Sequence, residues 1–138
     1  MRHRRVRWLG KHTLFFPPLG FLMRALGGIP VNRSHKQGLV GTMVDIFKQE
    51  DRLVLAIFPE GTRKKNNKWK TGFYQIAMAA RVPIQTMALD YATKTVIFGK
   101  PFLVSGDLDR DFKILREAFA HTTPKYPELA DKNFNYSE

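Results

Sequence analysis

The stretch Ile57-Phe58-Pro59-Glu60-Gly61-Thr62-Arg63-Lys64-Lys65 sets a proline, a carboxylate, a glycine, a hydroxyl and three cations directly behind an apolar run. A simple turn needs less chemistry than this. Pro59 stiffens the exit and has no N–H to donate. Gly61 permits positive φ and lets a ligand approach the backbone closely. Thr62 offers a hydroxyl and an N–H. Arg63 offers a planar fork that matches a phosphate in bidentate fashion. Glu60 can accept a hydrogen bond from a substrate hydroxyl, or hold Arg63 in place. Together the five residues suit a small molecule with both a phosphate and a free hydroxyl. A strand-turn carrying a surface ion pair fits the same five residues as well. The G-x-x-x-x-G-K-[ST] spacing of a P-loop is absent.

Two further groups of cations bear on the same chemistry. Arg33 closes the segment Gly27-Gly28-Ile29-Pro30-Val31-Asn32-Arg33, between an extended stretch and a helix start, where anions bind well. An ordinary exposed arginine is the competing reading. Arg63 to Lys70 holds five cations in eight residues around Trp69. In isolation that run resembles a nucleic-acid patch or a localisation signal, or simply solvated loop charge. Lys70-Thr71-Gly72, at a helix start, is a plausible phosphate site.

The elements that must position these residues follow from the apolar spacing. Val6–Leu9 reads as a short strand. Leu19, Leu22, Met23 and Leu26 fall on one face of a helix that Pro17-Pro18 opens and Gly27-Gly28 closes; these four are expected in the core, with Phe15 and Phe16 left open. Insertion of this segment, flanked by Lys11 and Arg24, into a membrane interface is the rival. Ser34 and Gln37 form a capping box for a helix over Ser34–Gln49, with Leu39, Val40, Met43, Val44 and Phe47 inward. Leu53–Phe58 reads as a strand covered on both faces. A basic loop follows. Thr71 caps a helix with Phe73, Ile76, Ala77 and Ala80 inward. Val82–Tyr91, Lys94–Gly99 and Lys100–Gly106 read as strands. Asp107 opens a last helix with Leu108, Phe112, Leu115 and Phe119 inward, and the tail from Thr122 is expected to be irregular. Strands alternate with helices, so the class is α/β, a mixed sheet flanked by helices in a single domain over residues 1–138.

Composition bounds the partners. The 138 residues carry a formal net charge of +11, from 23 Lys and Arg against 12 Asp and Glu, which favours nucleic acid, an anionic membrane or phosphorylated substrates. No cysteine is present, so thiolate catalysis and disulfides are excluded. The longest charge-free apolar stretch, Thr13–Met23, is too short to span a bilayer, which takes about 20 residues. The basic N-terminus lacks the pattern of a secretory signal.

Three segments carry a resemblance to a known family: Leu9–Arg33, Leu55–Lys65 and Trp69–Tyr91, in that order. Together they resemble the glycerolipid acyltransferases of the lysophosphatidate type, and the likeness runs over Val6–Leu129. The resemblance implies transfer of an acyl group from a thioester of coenzyme A or acyl carrier protein to the hydroxyl of a lysophospholipid or glycerol phosphate. It implies that Arg33 and Arg63 bind the phosphate, that Glu60 sits by the glycerol hydroxyls and that Gly61 lets the loop close. Val82-Pro83-Ile84 matches a fourth motif near the acyl path. Thr62 and Lys70 complete the expected substrate-binding set. Lys64 stands where the family often has serine, and Thr86 where it often has proline. No metal or bound cofactor is implied. The expected place is the cytoplasmic side, peripheral to the inner face of the membrane, with no transmembrane segment.

The family's chemistry rests on a histidine that takes the proton from the attacking hydroxyl, and an aspartate that orients it, in the pattern H-x-x-x-x-D. Five residues beyond His3, His12, His35 and His121 stand Trp8, Pro17, Val40 and Tyr126, so no histidine completes the motif. His12 stands nearest, at a position that is not catalytic in the family. The resemblance places the strand and loop that carry the base before the segment matching Val6–His12, so the chain is expected to lack both. An uncovered sheet edge is then expected to lower solubility or drive self-association. Three functions follow in order: the phosphate-binding half of an acyltransferase, a non-catalytic binder of anionic lipid, and a basic nucleic-acid binder. The third leaves the apolar motifs and the Pro59–Arg63 turn unexplained, so no nucleic-acid partner is expected. The acyl chain length, the acceptor among these candidates and the oligomeric state stay open.

Overall fold

The structure, a computed structural model, describes residues 5–31, 36–61, 64–130 and 133–137, without the side chains of Lys36 and Gln37. It is α/β, and the chain divides into two compact units, Met1–Phe58 and Pro59–Glu138.

The first unit is a three-stranded parallel sheet. Strands β1 (Arg5–Lys11), β2 (Gly28–Val31) and β3 (Leu53–Ala56) lie in the order β2-β1-β3. Parallel neighbours need crossover connections, and helices α1 (Leu19–Ala25) and α2 (Lys36–Gln49) lie in them. Trp8 sits opposite Gly28 on one side and Ala56 on the other, two small neighbours that leave room for its indole. The indole N–H donates to the Leu26 carbonyl at 3.0 Å, and the ring tilts against Phe15, 6.0 Å between centroids. Arg7 on β1 pairs with Glu50, just past α2, at 3.2 Å. The expected inward face of α2 is observed, with Met43 fully buried at its centre.

α1 turns inward a different face from the one its apolar spacing predicts. Leu19, Leu22 and Leu26 are exposed, not core, and Met23 is half-buried. The face turned inward runs through Gly20, Met23 and Gly27. Gly20 is buried, and a Cβ there would collide with the Phe15 carbonyl. A backbone-to-backbone approach this close orients the helix by its smallest residue, which hydrophobic spacing cannot reveal. Phe15 is buried and Phe16 exposed. The strand expected over Leu53–Phe58 is also shorter and less covered. It ends at Ala56, all four residues are half-buried, and Phe58 is 81% exposed. Among the described residues β3 pairs only with β1 and is a sheet edge. The capping box at Ser34 lies outside the described residues.

The second unit contains β4 (Lys68–Lys70), α3 (Gly72–Ala80), β5 (Met87–Asp90), β6 (Thr95–Phe98), α4 (Leu108–Phe119) and β7 (Asn135–Ser137). β5 and β6 form an antiparallel hairpin, while β4 pairs with β7 in parallel. The core gathers Trp69, Phe112, Leu115 and Phe134, with Phe73 and Phe119 against them. Trp69 and Phe134 stack face to face, 3.7 Å between centroids and 1° between planes. Trp69 is therefore the centre of a core and not part of a nucleic-acid patch. The tail is not irregular to its end, since it supplies Phe134 to that core and β7 to the sheet. The segment Lys100–Gly106 makes a bridge, Phe102 opposite Ile84, in place of a full strand.

Polar contacts tie this unit together. The buried Asp111 carboxylate accepts from the Tyr74 hydroxyl at 2.8 Å, the Ser105 N–H at 2.7 Å and the Ser105 hydroxyl at 2.9 Å, joining α3, α4 and the loop before α4. Burial first, and then the Asp111 carboxylate, push the Tyr74 phenol up to about 12. Asp107 caps α4 as expected, accepting from the Arg110 N–H at 3.1 Å. Asp90 accepts from the Thr93 hydroxyl at 2.6 Å and the Thr123 N–H at 2.8 Å, and these bonds hold its carboxyl below the ordinary value.

Phe134→Ala removes the ring stacked on Trp69. A loss of about 3–5 kcal/mol in urea unfolding is expected, the range for buried Phe-to-Ala changes. An exposed tail would lose less than about 0.5 kcal/mol.

Candidate functional site

Lys68, Trp69 and Lys70 alternate across β4: the indole goes into the core and the two lysines stay exposed. Burying Trp69 thus sets where Lys70 stands. The Lys70 N–H donates to the Pro59 carbonyl at 3.1 Å, which fastens β4 to the start of the turn. Asn66 pins the same turn from the other side. Its amide donates to the Glu60 carbonyl at 3.2 Å and the Lys68 carbonyl at 2.7 Å, and its Oδ1 accepts the Lys68 N–H at 3.0 Å. Sequence reasoning passed over Asn66 as part of a basic loop. The signal was an asparagine two residues before a strand, the usual partner of its own backbone in a turn.

Gly61 has φ +65°, in the left-handed region. A Cβ built there would lie 3.5 Å from Cε and 3.6 Å from Nζ of Lys70. The lysine side chain therefore runs along the glycine, and its ammonium comes to the turn's backbone. Partial burial of its carboxyl raises Glu60 above the ordinary glutamate value, although the residue as a whole is exposed.

Lys70 leads directly into α3. Thr71 stands at the N-cap position, but its hydroxyl makes no capping bond, which corrects the expected cap, and the first turn of α3 holds no acid. Nothing negative in that turn offsets the positive end of the helix dipole. The structure thus brings Glu60, Gly61 and Lys70 together within the second unit. Arg33, Thr62 and Arg63 lie outside the described residues. β2 of the first unit ends at Val31, two residues before Arg33 in the sequence.

His12 follows β1 as the exposed first residue of a single-turn 3-10 helix, His12–Phe15, with its ring edge-on to Phe16 at 6.4 Å. Among the described residues no carboxylate hydrogen-bonds its imidazole, so it lacks the orienting partner that a general base in a dyad requires. Among them no cluster of His, Cys, Asp and Glu could hold a metal ion, and no helix is long and apolar enough to cross a membrane.

Gly61→Ala has space for its methyl but is forced into the left-handed region. It is expected to cost about 1–2 kcal/mol in urea unfolding. Gly72→Ala meets nothing within 4 Å and sits in a helix, so it should leave stability unchanged or raise it. Equal losses at both positions would mean that the turn does not hold Gly61 in that conformation.

Residues 1–90 match the family model described as Acyltransferase. A 1-acyl-sn-glycerol-3-phosphate acyltransferase of Escherichia coli (strain K12) is 34% identical over 80 residues, covering 54% of this chain and 32% of that protein. The beta form from Homo sapiens is 29% identical over 101 residues, 70% of this chain and 36% of its own length. The Limnanthes douglasii protein of the same name is 31% identical over 84 residues, 57% of this chain and 30% of its own. The chain thus spans between 30% and 36% of the length of these relatives. No solved structure matches it. With more than half of its residues matched by the family model, the chain belongs to the acyltransferase family.

Proposed function

We propose that the chain is the phosphate-binding part of an enzyme that moves an acyl group from a thioester of coenzyme A or acyl carrier protein to the hydroxyl of a lysophospholipid or glycerol phosphate. The observation that carries this reading is the Lys70 side chain laid along Gly61 in the turn that follows Pro59. A cation held against a positive-φ glycine, beside the open N-terminus of α3, is a ready anion site. Arg63 and Thr62 adjoin it in the chain and add a bidentate donor and a hydroxyl; Arg33 supplies a second guanidinium. Glu60 meets the glycerol hydroxyls. The names of the relatives support the acceptor class, and a lipid acceptor places the work at the inner surface of a membrane.

In the transfer, the acceptor oxygen bonds to the thioester carbonyl carbon, the carbon–sulfur bond breaks, and the hydroxyl proton passes by way of a base to the departing sulfur, which leaves as the free thiol. The residues named above hold the acceptor; the histidine that the family resemblance assigns as base for that proton is not among them. The absence of H-x-x-x-x-D from the sequence therefore favours a second reading for these 138 residues alone, binding of the anionic lipid without turnover.

Two assays on the chain separate the readings. In a binding assay with glycerol 3-phosphate, Arg63→Ala and Lys70→Ala are each expected to weaken affinity about 10-fold or more, the size of a charged hydrogen bond. In an assay of coenzyme A release, turnover is expected to fall short of an intact enzyme by about 10²–10⁴-fold, the contribution of a general base. Variants that bind like the parent would remove the turn from the phosphate site. Fast turnover would show that a base lies within these residues and would return attention to His12.

A further inference from the structure

The exposed side of α1 and the 3-10 turn before it is unusual for a folded surface. Leu14, Phe16, Leu19, Phe21, Leu22 and Leu26 are all exposed, Phe21 to 78%. Single exposed apolar residues need no explanation, but a group of this size marks an interaction surface. Its orientation is fixed. Gly20 lies against the Phe15 backbone and its N–H donates to the Phe16 carbonyl at 2.9 Å. Rotating the leucines inward would drive a side chain into that backbone.

The charge around the patch selects its partner. Lys11 and Arg24 flank it and are exposed, and the Arg24 guanidinium lies 5.8 Å from the centre of the Phe15 ring. Before Asp45 the sequence holds eight Lys and Arg and no Asp or Glu. A surface made of large apolar side chains and cations, with no carboxylate in its whole stretch of chain, complements an anionic lipid layer. A protein partner would more often answer with mixed charge. The seven residues of α1 are far short of the roughly 20 that cross a bilayer, so this element can only lie in the interface.

We propose that α1 and the 3-10 turn form a lipid-docking surface that seats in the headgroup region of an anionic bilayer, with Phe21 and Leu22 as its deepest side chains and Lys11 and Arg24 at the phosphates. The proposal deepens the acyltransferase reading by naming the surface on which a lipid acceptor would be met, yet its observations belong to the first unit and do not use the phosphate site.

The test is sedimentation of the 138-residue chain with phosphatidylcholine vesicles, with and without about one third phosphatidylglycerol. Binding is expected to the anionic vesicles and not to neutral ones, and to weaken with salt. Phe21→Asp should lower it at least about 10-fold, while Phe98→Asp, an exposed ring on β6, leaves it unchanged. Arg24→Glu should lower it by about 5-fold or more, the share of one cation near such a surface. Unfolding midpoints equal to the parent's show that a variant folds, and Phe21→Ser stands in should the aspartate variant not fold. Free glycerol 3-phosphate should not displace the protein; displacement would mean that lipid headgroups enter the phosphate site and would overturn docking through α1. Equal binding by Phe21→Asp and the parent would also overturn it. So would absence of vesicle binding together with a dimer that Phe21→Asp dissolves in ultracentrifugation, for then a second copy covers the patch.

Discussion

Trp69 enters an aromatic core between two lysines that remain in water, and the second unit is organised around that placement. Its stack on Phe134 draws the end of the chain back as β7 beside β4. Phe112 and Phe119 meet the indole edge-on, which brings α4 into the same core. Strand alternation then leaves Lys70 no choice of side, and its N–H and side chain both reach the turn at Pro59–Gly61. The hydrophobic burial of an indole thus aims an ammonium.

The first unit is ordered by small residues. Gly28 and Ala56 flank Trp8 in the sheet, and Gly20 lets α1 press backbone to backbone on the turn before it. A helix docked through glycine keeps its large side chains outside. The same contact that stabilises the crossover therefore produces the exposed apolar face. That face carries no function in the core of the unit and acquires one only against something outside it.

These two arrangements show what could be read in advance. The inward faces of α2 and α4 were legible because 3.6-residue spacing records burial directly, and the cap at Asp107 because an aspartate at a helix start has few other roles. The left-handed conformation of Gly61 was legible because only glycine adopts it freely in a tight turn. The orientation of α1 was not, since periodicity counts large apolar residues and the deciding residue was a glycine. The burial of Trp69 was not legible from its basic run because its partner, Phe134, stands far along the chain in a polar tail. Asn66 was missed because its work is a set of backbone bonds that only the folded turn displays.

Within the acyltransferase family, the chain offers a turn that holds Lys70 against Gly61 and no histidine completing H-x-x-x-x-D. Binding of a phosphate at that turn is the claim on which the functional account stands. The most direct measurement is an NMR titration of the labelled chain with glycerol 3-phosphate, following every backbone amide, with glycerol as the control. The account predicts saturable shifts confined to Gly61, Lys70, Thr71 and the first turn of α3 among the described residues, and none with glycerol. Shifts scattered over the lysine-rich surface without saturation, or saturable shifts that leave Gly61 and Lys70 unmoved, would contradict it.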